Sequence, residues 1–532
     1  MLNRLQDQHV LILGLGVSGL AMARWCASLG ARVTVADTRE TPPRLAQLHA
    51  DLPQARFVAA PLDAALFETL NQGDAVRAIF KSPGLAPTQT AALFIAANAY
   101  GISATGELAL FSQALAELKT ELGYAPCVLA VTGTNGKTTV TSLTRELVLR
   151  AGKSVVMAGN VGPSLLDTLA EHVAADTLPA VWVLELSSFQ LDGANEFEPT
   201  AAALLNITQD HLDWHGDMAH YAAAKARVFG STGIVVRNRD DAAVMALQAP
   251  QPANIAPNPG HTTRQQAQQP QQRKRPVVSR QVITFGSGRP ERPGDFGIEE
   301  ANGMAWLVRA SEADETLKKK RGAGAQDEPE LHIQRLMPAE VLRIRGRHNA
   351  QNALAALALA SSAGCALGPI LFGLREYRGE PHRVQSLGIV NGVEYFDDSK
   401  GTNVGATLAA LKGLGADRKL LVILGGDGKG QDFAPLRDAV AQHVRAVLLI
   451  GRDAALIRTA LATSDVPQHD AASLPAAVAH ACSLARAGDA VLLSPACASF
   501  DMFDNYAHRA HVFAQAVAHI AADAGVSLEC NA

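Results

Sequence analysis

The stretch Gly133-Thr134-Asn135-Gly136-Lys137-Thr138-Thr139 decides how this chain is read. It sits between an apolar, β-rich run at 127–131 and a helical pattern at 138–150. In that setting glycines let backbone N–H groups curl around phosphate oxygens, and the helix start adds positive potential. Gly133, Thr134, Asn135, Gly136, Lys137, Thr138 and Thr139 are therefore the candidate ATP loop. Lys137 is placed to reach the β/γ-phosphates, and the Thr138 hydroxyl is available to Mg2+. The spacing departs from the ordinary GxxxxGK[ST] pattern, whose first position falls on Val131.

Outward from the loop, short apolar runs alternate with Ala-rich helical patterns, which predicts parallel α/β architecture. One block holds strands at 9–13 and 32–36, the second ending on Asp37, with a helix after Gly19. The block around the loop continues through runs at 180–184 and 202–205, and a third contains runs at 419–424, 446–450 and 490–493. At 532 residues the chain exceeds what one core usually supports, so several domains are expected. Two stretches interrupt the middle block: 248–280, rich in Gln, Pro, Asn and Arg, and 310–330, which contains Lys318-Lys319-Lys320-Arg321. Both read as solvated, disordered-looking surface insertions. The rival reading is contact of their basic clusters with nucleic acid or a partner, but interleaved aromatics and a known module are missing.

Apolar residues make up 48%, charged residues 18%, and the net charge is −4, which is ordinary for a soluble globular protein. Such a balance supplies no global field for nucleic acid or an anionic membrane. Six scattered cysteines without a CxxC pair argue against a zinc site or a disulfide framework and fit a reducing compartment. No stretch reaches the ~20 apolar residues that a membrane span needs, and the N-terminus does not read as a signal peptide. The expectation is a soluble, cytoplasmic protein.

Leu184-Glu185-Leu186-Ser187-Ser188-Phe189-Gln190 puts a carboxylate at the end of an apolar strand, where open α/β sheets place ligands. Glu185 is read as a Mg2+ ligand, or alternatively as a capping or ion-paired glutamate. Asn206-Ile207-Thr208-Gln209-Asp210-His211-Leu212-Asp213-Trp214-His215 crowds histidine and carboxylates after another buried-looking strand. His211 is a candidate to ligate metal or to donate to a developing oxyanion, against the alternative of a structural histidine. Lys225 falls on the helical pattern 220–229, where most lysines are simply solvated.

These three motifs, in this order and with a lysine on the following helix, resemble the central domain of the Mur ligases. That family adds amino acids to the peptidoglycan precursor in the bacterial cytoplasm, and so serves cell shape and division. The resemblance covers nearly the whole chain apart from the two insertions. It implies a UDP-binding Rossmann-like domain at 1–105, a central P-loop-type ATPase-like domain at 106–378 and a Rossmann-like amino-acid-binding domain at 379–532. Lys137, Glu185, His211 and Lys225 are the implied catalytic set. The resemblance also implies two Mg2+ ions, one near Thr138 and Glu185 and another near His211 and Lys225. Lys225 is then carbamylated by CO2, since an ammonium offers a metal only donors.

Gly14-Leu15-Gly16-Val17-Ser18-Gly19 after a strand, with Asp37 closing the next, matches the dinucleotide fingerprint and alone suggests a nicotinamide oxidoreductase. The same turn suits any pyrophosphate, and the resemblance implies the UDP part of the precursor. Ser18 then faces the pyrophosphate, with Asp37, Thr38 and Arg39 near the uridine and Ser82 and Gly84 lining the pocket. Asn160, Ser187 and Gln190 complete the implied UDP-substrate set.

Arg345-Gly346-Arg347-His348-Asn349-Ala350-Gln351-Asn352 opens an Ala-rich helix. The resemblance puts Asn349 and Asn352 near the adenine; the residues alone read as helix caps. Glu380-Pro381-His382-Arg383 resembles the family's hinge, with Arg383 reaching the ATP phosphates on closure. Asp397-Asp398-Ser399-Lys400-Gly401-Thr402-Asn403 resembles the branch that adds D-glutamate to UDP-N-acetylmuramoyl-L-alanine, and Asp398 then binds the nucleotide. His211, Lys400, Thr402, Lys429, Ser499, Phe500 and Tyr506 are the implied D-glutamate set. Cys497 beside them reads as a buried thiol or, alternatively, as a nucleophile.

The expected function is thus an ATP-dependent acid–amino-acid ligase working through an acyl phosphate, as a monomer without nucleic-acid or membrane partners. Its rivals are another Mur or folylpolyglutamate-type ligase, a nicotinamide oxidoreductase, and a non-enzymatic nucleotide-binding scaffold. The oxidoreductase leaves 133–139 without a role, and the scaffold has no need of Glu185, His211 and Lys225.

Overall fold

A computed structural model describes residues 5–194, 196–248, 280–313, 331–416, 418–526 and 528. The first sheet is parallel, in spatial order Arg56–Ala59, Arg32–Asp37, His9–Leu13, Val76–Lys81, Ala104–Thr105. Chain order reverses at His9–Leu13, so the carboxyl ends of this strand and of Val76–Lys81 open the crevice in which doubly wound sheets bind ligands. The helix that follows opens at Val17, not after Gly19. Gly19 lies in its first turn because a Cβ there would stand 1.9 Å from the Gly14 carbonyl oxygen. Only glycine lets the helix come that close to the turn.

The phosphate loop leaves the interior of a second parallel sheet, ordered Val282–Phe285, Ile234–Asn238, Ala201–Leu204, Cys127–Thr132, Val181–Glu185, Val155–Gly159. Because Ala201–Leu204 and Val181–Glu185 flank Cys127–Thr132, the loop, Glu185 and the 206–215 segment emerge side by side. The helices Lys137–Arg150 and Arg347–Ser362 cover one face of this sheet. The helix Glu107–Leu122 lies on the other, where Val10, Val35, Phe111, Ala130, Trp182 and Leu184 share one apolar cluster. The first two sheets therefore have a common core.

A third sheet, of antiparallel strands Phe296–Ala301, Met304–Glu312 and Leu331–Pro338, is absent from the sequence expectation. Its hairpin turns at Asn302-Gly303, both left-handed (φ +53° and +76°), as a two-residue type I′ connection requires. The strand Met304–Glu312 corrects the predicted start of the second insertion: residues 310–312 pair with Leu331, His332 and Ile333. Residues 249–279 and 314–330 of the two predicted insertions lie outside the described residues. Arg280 is an anchor, its guanidinium donating to the carbonyls of Phe229, Gly230 and Gly233.

The last sheet runs Gln385–Val390, Val393–Asp397, Ala490–Leu493, Leu420–Gly425, Val444–Ile450, Gln468–Asp470, parallel except for its first pair. Its apolar clusters contain no described residue before Val384. This unit has its own core, and hydrogen bonds carry its contact with the phosphate loop. No described helix is long and apolar enough to cross a membrane.

Candidate active site

Gly133 and Gly136 take left-handed backbone angles (φ +156° and +83°), which lets the loop fold tightly ahead of the helix Lys137–Arg150. Asn206 grips the loop from the neighbouring strand end. Its Oδ1 accepts from Asn135 N at 2.8 Å, and its Nδ2 donates to Asn135 O at 3.0 Å. The Thr134 hydroxyl, buried against Tyr221 Oη at 3.0 Å, also accepts from Thr208 N at 3.0 Å. The loop is thus held in shape before any phosphate arrives.

Two lysines converge on one carbonyl. Lys137 Nζ donates to Gly133 O at 3.0 Å and to Thr134 O at 2.9 Å. Lys225 Nζ, on a residue only 2% exposed, donates to Gly133 O at 2.8 Å. Burial lowers the pKa of both amines, and for Lys225 the charge of Lys137 lowers it further. Glu185 and Asp210 oppose this, whereas Arg383 and Lys400 add positive charge around Lys137. Lys137, Lys225, Arg383 and Lys400 outnumber the two carboxylates, an imbalance that suits a polyphosphate.

Glu185 Oε1 accepts from Asn160 Nδ2 at 2.9 Å, while the buried Oε2 has no hydrogen-bond partner. An orphaned buried carboxylate oxygen fits a hard divalent cation, as does the Thr138 hydroxyl on the adjoining helix. Among the described residues, no group of three or more His, Cys, Asp and Glu side chains is placed to hold a metal. The remaining ligands of such a cation are of the kind that waters and substrate phosphates supply. His211 begins the short helix Leu212–His215 at φ +54°, with its ring 4.7 Å from Phe189 and Nε2 3.6 Å from Asp210. Burial and the charges of Lys137, Lys225 and Lys429 lower its pKa against the pull of Asp210. A neutral imidazole is the form that results.

The C-terminal unit reaches the loop directly: Arg383 Nη2 donates to Thr138 Oγ1 at 2.6 Å. Asn349 and Arg383 line a cavity of about 560 Å³ with Arg345 and Phe396. Asn352 sits over the phosphate loop, where a Cβ on Gly136 would lie 2.7 Å from its Oδ1. Asp398, expected at the nucleotide, faces the hinge. It accepts from Ser494 Oγ at 2.7 Å and from Val384 N at 3.3 Å, and burial pushes its carboxyl up to about 7. Lys400 Nζ donates to Tyr506 Oη at 3.0 Å, and Thr402 N donates to the Lys400 carbonyl. Lys429 is exposed at φ +48°, Ser499 is buried, and Phe500 is 70% exposed. Burial pushes the Cys497 thiol up to about 12, which leaves no reactive thiolate.

In the first sheet, Ser82 Oγ donates to Gly14 O at 2.8 Å, and Asp37 Oδ2 accepts from Leu15 N at 2.7 Å. Both Asp37 oxygens also accept from the Arg39 fork, each at 2.8 Å. Against desolvation, the Arg39 and Leu15 hydrogen bonds hold the Asp37 carboxyl at about 2. Thr38 is exposed, and a Cβ on Gly84 would meet open space. Ser18 lies beside the buried Glu107, which accepts from Leu166 N at 3.2 Å and so links the first two units. Ser187 and Gln190 cap each other reciprocally at a helix start. Gln190 also lines a cavity of about 370 Å³ with Lys81, Phe94, Glu107, Phe189 and Asp192. Lys81, Glu107, Asn206 and Tyr221 are site residues that the sequence reading missed. Tyr221 carried a signal, since it precedes Lys225 by four residues on one helix face.

A strand–loop–helix phosphate site, a doubly wound sheet sharing its core, and a third α/β unit hydrogen-bonded to the loop define a three-domain nucleotide-dependent enzyme. Three family profiles match the chain: "Mur ligase MurD-like, N-terminal domain" at 8–106, "Mur ligase middle domain" at 131–282 and "Mur ligase, glutamate ligase domain" at 382–497. The chain belongs to the Mur ligase family, ATP-dependent enzymes that form amide bonds. It is 64% identical over 528 residues to the UDP-N-acetylmuramoylalanine--D-glutamate ligase of Albidiferax ferrireducens, covering 99% of each chain. It is 53% identical to the enzyme of the same name from Burkholderia mallei, covering 98% of this chain and 99% of that one. Among solved structures, the MurF ligase of Thermotoga maritima in complex with ADP shares the fold with a TM-score of 0.52 at 15% identity, over 98% of this chain and 97% of that one.

Proposed function

We infer that this chain joins D-glutamate to UDP-N-acetylmuramoyl-L-alanine at the expense of ATP, in the synthesis of the peptidoglycan precursor. The observation that carries the chemistry is Arg383 Nη2 on Thr138 Oγ1, 2.6 Å apart, which closes the amino-acid unit over the phosphate loop. The identity to D-glutamate ligases across the whole chain supports the choice of substrates.

The reaction has two steps. A carboxylate oxygen of the L-alanyl end attacks the γ-phosphorus of ATP, ADP leaves, and a mixed anhydride forms. The D-glutamate amine then attacks that carbonyl, loses a proton, and expels inorganic phosphate from the tetrahedral intermediate. Lys137 and Arg383 hold the phosphates in line and offset the charge that spreads over them, since phosphoryl transfer depends on positioning and electrostatics. His211, kept neutral, is an acceptor for the amine proton. Lys400, Thr402, Lys429 and Tyr506 receive the carboxylates of D-glutamate.

Glu185 and Thr138 are the residues that would hold a Mg2+, which supplies charge neutralisation to the phosphates when bound. The buried Lys225 amine, its pKa lowered, is suited to add CO2 with loss of a proton, becoming a carbamate that offers oxygens to a second ion. The first sheet holds the UDP moiety in its switch-point crevice, where Asp37 fixes Arg39. A monomer in the cytoplasm completes the reading.

The test is phosphate release from ATP with UDP-N-acetylmuramoyl-L-alanine fixed and amino acids varied in both chiralities. D-glutamate should drive release. Release with L-glutamate or a diamino acid, but not with D-glutamate, overturns the substrate.

A further inference from the structure

We propose that Asn403 is a latch that seats the amino-acid loop on the phosphate loop, a positioning role that rests on the ligase reading above. The side chains of Asn403 and Asn135 exchange hydrogen bonds in both directions. Asn135 Nδ2 donates to Asn403 Oδ1 at 3.3 Å, and Asn403 Nδ2 donates to Asn135 Oδ1 at 3.1 Å. Asn135 is itself held, because Asn206 binds both its backbone N–H and its carbonyl. Asn403 Oδ1 also caps the helix Val404–Leu414 by accepting from Ala406 N at 2.9 Å. Asparagines 206, 135 and 403 therefore transmit the position of one sheet's strand end, through the phosphate loop, into the first helical turn of another unit. Lys400 and Thr402 lie immediately before that turn.

The helix Val404–Leu414 meets the middle unit at both ends, and each end uses glycine. A Cβ on Gly405 would stand 2.8 Å from Thr208 Oγ1 and 3.0 Å from Asn135 Nδ2. A Cβ on Gly413 would stand 2.6 Å from His348 Nδ1 and 3.3 Å from Gly346 Cα. His348 is packed there with an unpartnered Nδ1, and burial pushes its pKa down to about 4, so it acts as a neutral spacer. Since the apolar clusters of the C-terminal sheet stay within that sheet's own unit, hydrogen bonds and glycine contacts set the distance between the two loops. Neutral hydrogen bonds are individually weak once water competes, so the latch can open for substrate. It decides where the amine arrives, while phosphoryl transfer rests on Lys137 and on the separate Arg383–Thr138 hydrogen bond at the hinge.

Three full-length variants test this. Asn403→Ser keeps a capping hydroxyl but is too short to reach Asn135, and Asn403→Asp keeps the cap but sets an oxygen against Asn135 Oδ1. Gly405→Ala leaves both asparagines and adds a methyl between the units. Each is assayed with D-glutamate, and with hydroxylamine, a small nucleophile that traps the acyl phosphate as a hydroxamate without the amino-acid loop. The KM for D-glutamate should rise about tenfold or more while the hydroxamate rate stays within about twofold of the unaltered chain. Unchanged D-glutamate kinetics in Asn403→Ser and Gly405→Ala overturn the latch. So does an equal fall in both reactions, which marks a structural role. Small-angle scattering gives a readout free of turnover: the variants should show a larger radius of gyration, and an unchanged one overturns the proposal. If the unaltered chain forms hydroxamate but no D-glutamyl amide, the substrate reading fails and scattering alone judges the latch.

Discussion

Lys137 and Lys225 share one acceptor: both amines donate to the Gly133 carbonyl oxygen, at 3.0 and 2.8 Å. Two ammonium groups so close together repel one another, and burial penalises both. Polyphosphate on one lysine, or conversion of the other to an anion, relieves that repulsion.

Lys225→Ala should therefore be nearly inactive, a loss of at least about 100-fold in kcat, because an electrostatic element of the site disappears. Short-chain carboxylic acids should restore part of the activity by supplying the missing anion. Steady-state rates with and without acetate check this, and full activity in the unsupplemented variant ends the carbamate assignment.

Lys137→Ala removes the only loop side chain with a cation for the β/γ-phosphates. ADP release in the presence of both other substrates should fall below about 1% of the normal rate. Near-normal turnover would take the loop out of the mechanism.

Asp398 supplies a pH signature. Its carboxyl titrates at about 7 in the folded protein against 3.8 ordinarily, with burial as the main cause. Between those values the folded state binds a proton that the unfolded state lacks, so stability falls as pH rises through this window. The effect is on the order of a few kcal/mol by linkage. Asp398→Asn should flatten the decline, measured as urea midpoints from pH 4 to 8. A slope equal to that of the unaltered chain refutes the assignment.

Asp37 carries the opposite sign. Held at about 2 in the folded chain, it contributes stability that is fully present above 3.8 and is lost as pH falls through the folded value. With Arg39 53% exposed, the contribution is discounted to on the order of 1 kcal/mol. Asp37→Asn should lose that amount at neutral pH and little near pH 2. The same substitution should raise the KM for the UDP-sugar, because Arg39 loses the carboxylate that orients it.

Replacing 249–279 by a short Gly/Ser linker while keeping Arg280 should leave kcat within about twofold, as expected from a composition that cannot bury an apolar face. Arg280→Ala should destabilise the chain by about 1–3 kcal/mol, because three backbone carbonyls lose a charged donor. Thermal unfolding separates the two outcomes. A large kcat loss in the linker variant would mean that the segment takes part in catalysis.

Much of the frame was legible because it rests on local patterns. The apolar runs before the phosphate loop and before Glu185 appear as buried parallel strands, as continuous apolar segments should. The antiparallel hairpin at Asn302-Gly303 was equally legible, since Asn-Gly between alternating residues is a strong turn signal. It was missed because the sequence reading assigned no element to 281–309, the residues between its two insertions. The partners of Asp398 were not legible for another reason. Nothing in its neighbours along the chain says that Ser494 and the Val384 amide will meet its two oxygens.

By itself the sequence determined which chemistry is present: a phosphate loop between strand and helix, a carboxylate at a strand end, and a switch-point turn with Gly14 and Gly19. These follow from backbone sterics and from periods of two and 3.6 residues, which act over a few neighbours. Only the tertiary structure decided how the parts meet. It put Lys225 on the same carbonyl as Lys137, turned Asp398 to the hinge, and joined Asn135 to Asn403 across 268 positions of chain. Such contacts are set by burial and by which polar groups remain to be satisfied once the sheets have packed, and those quantities exist only in the folded chain.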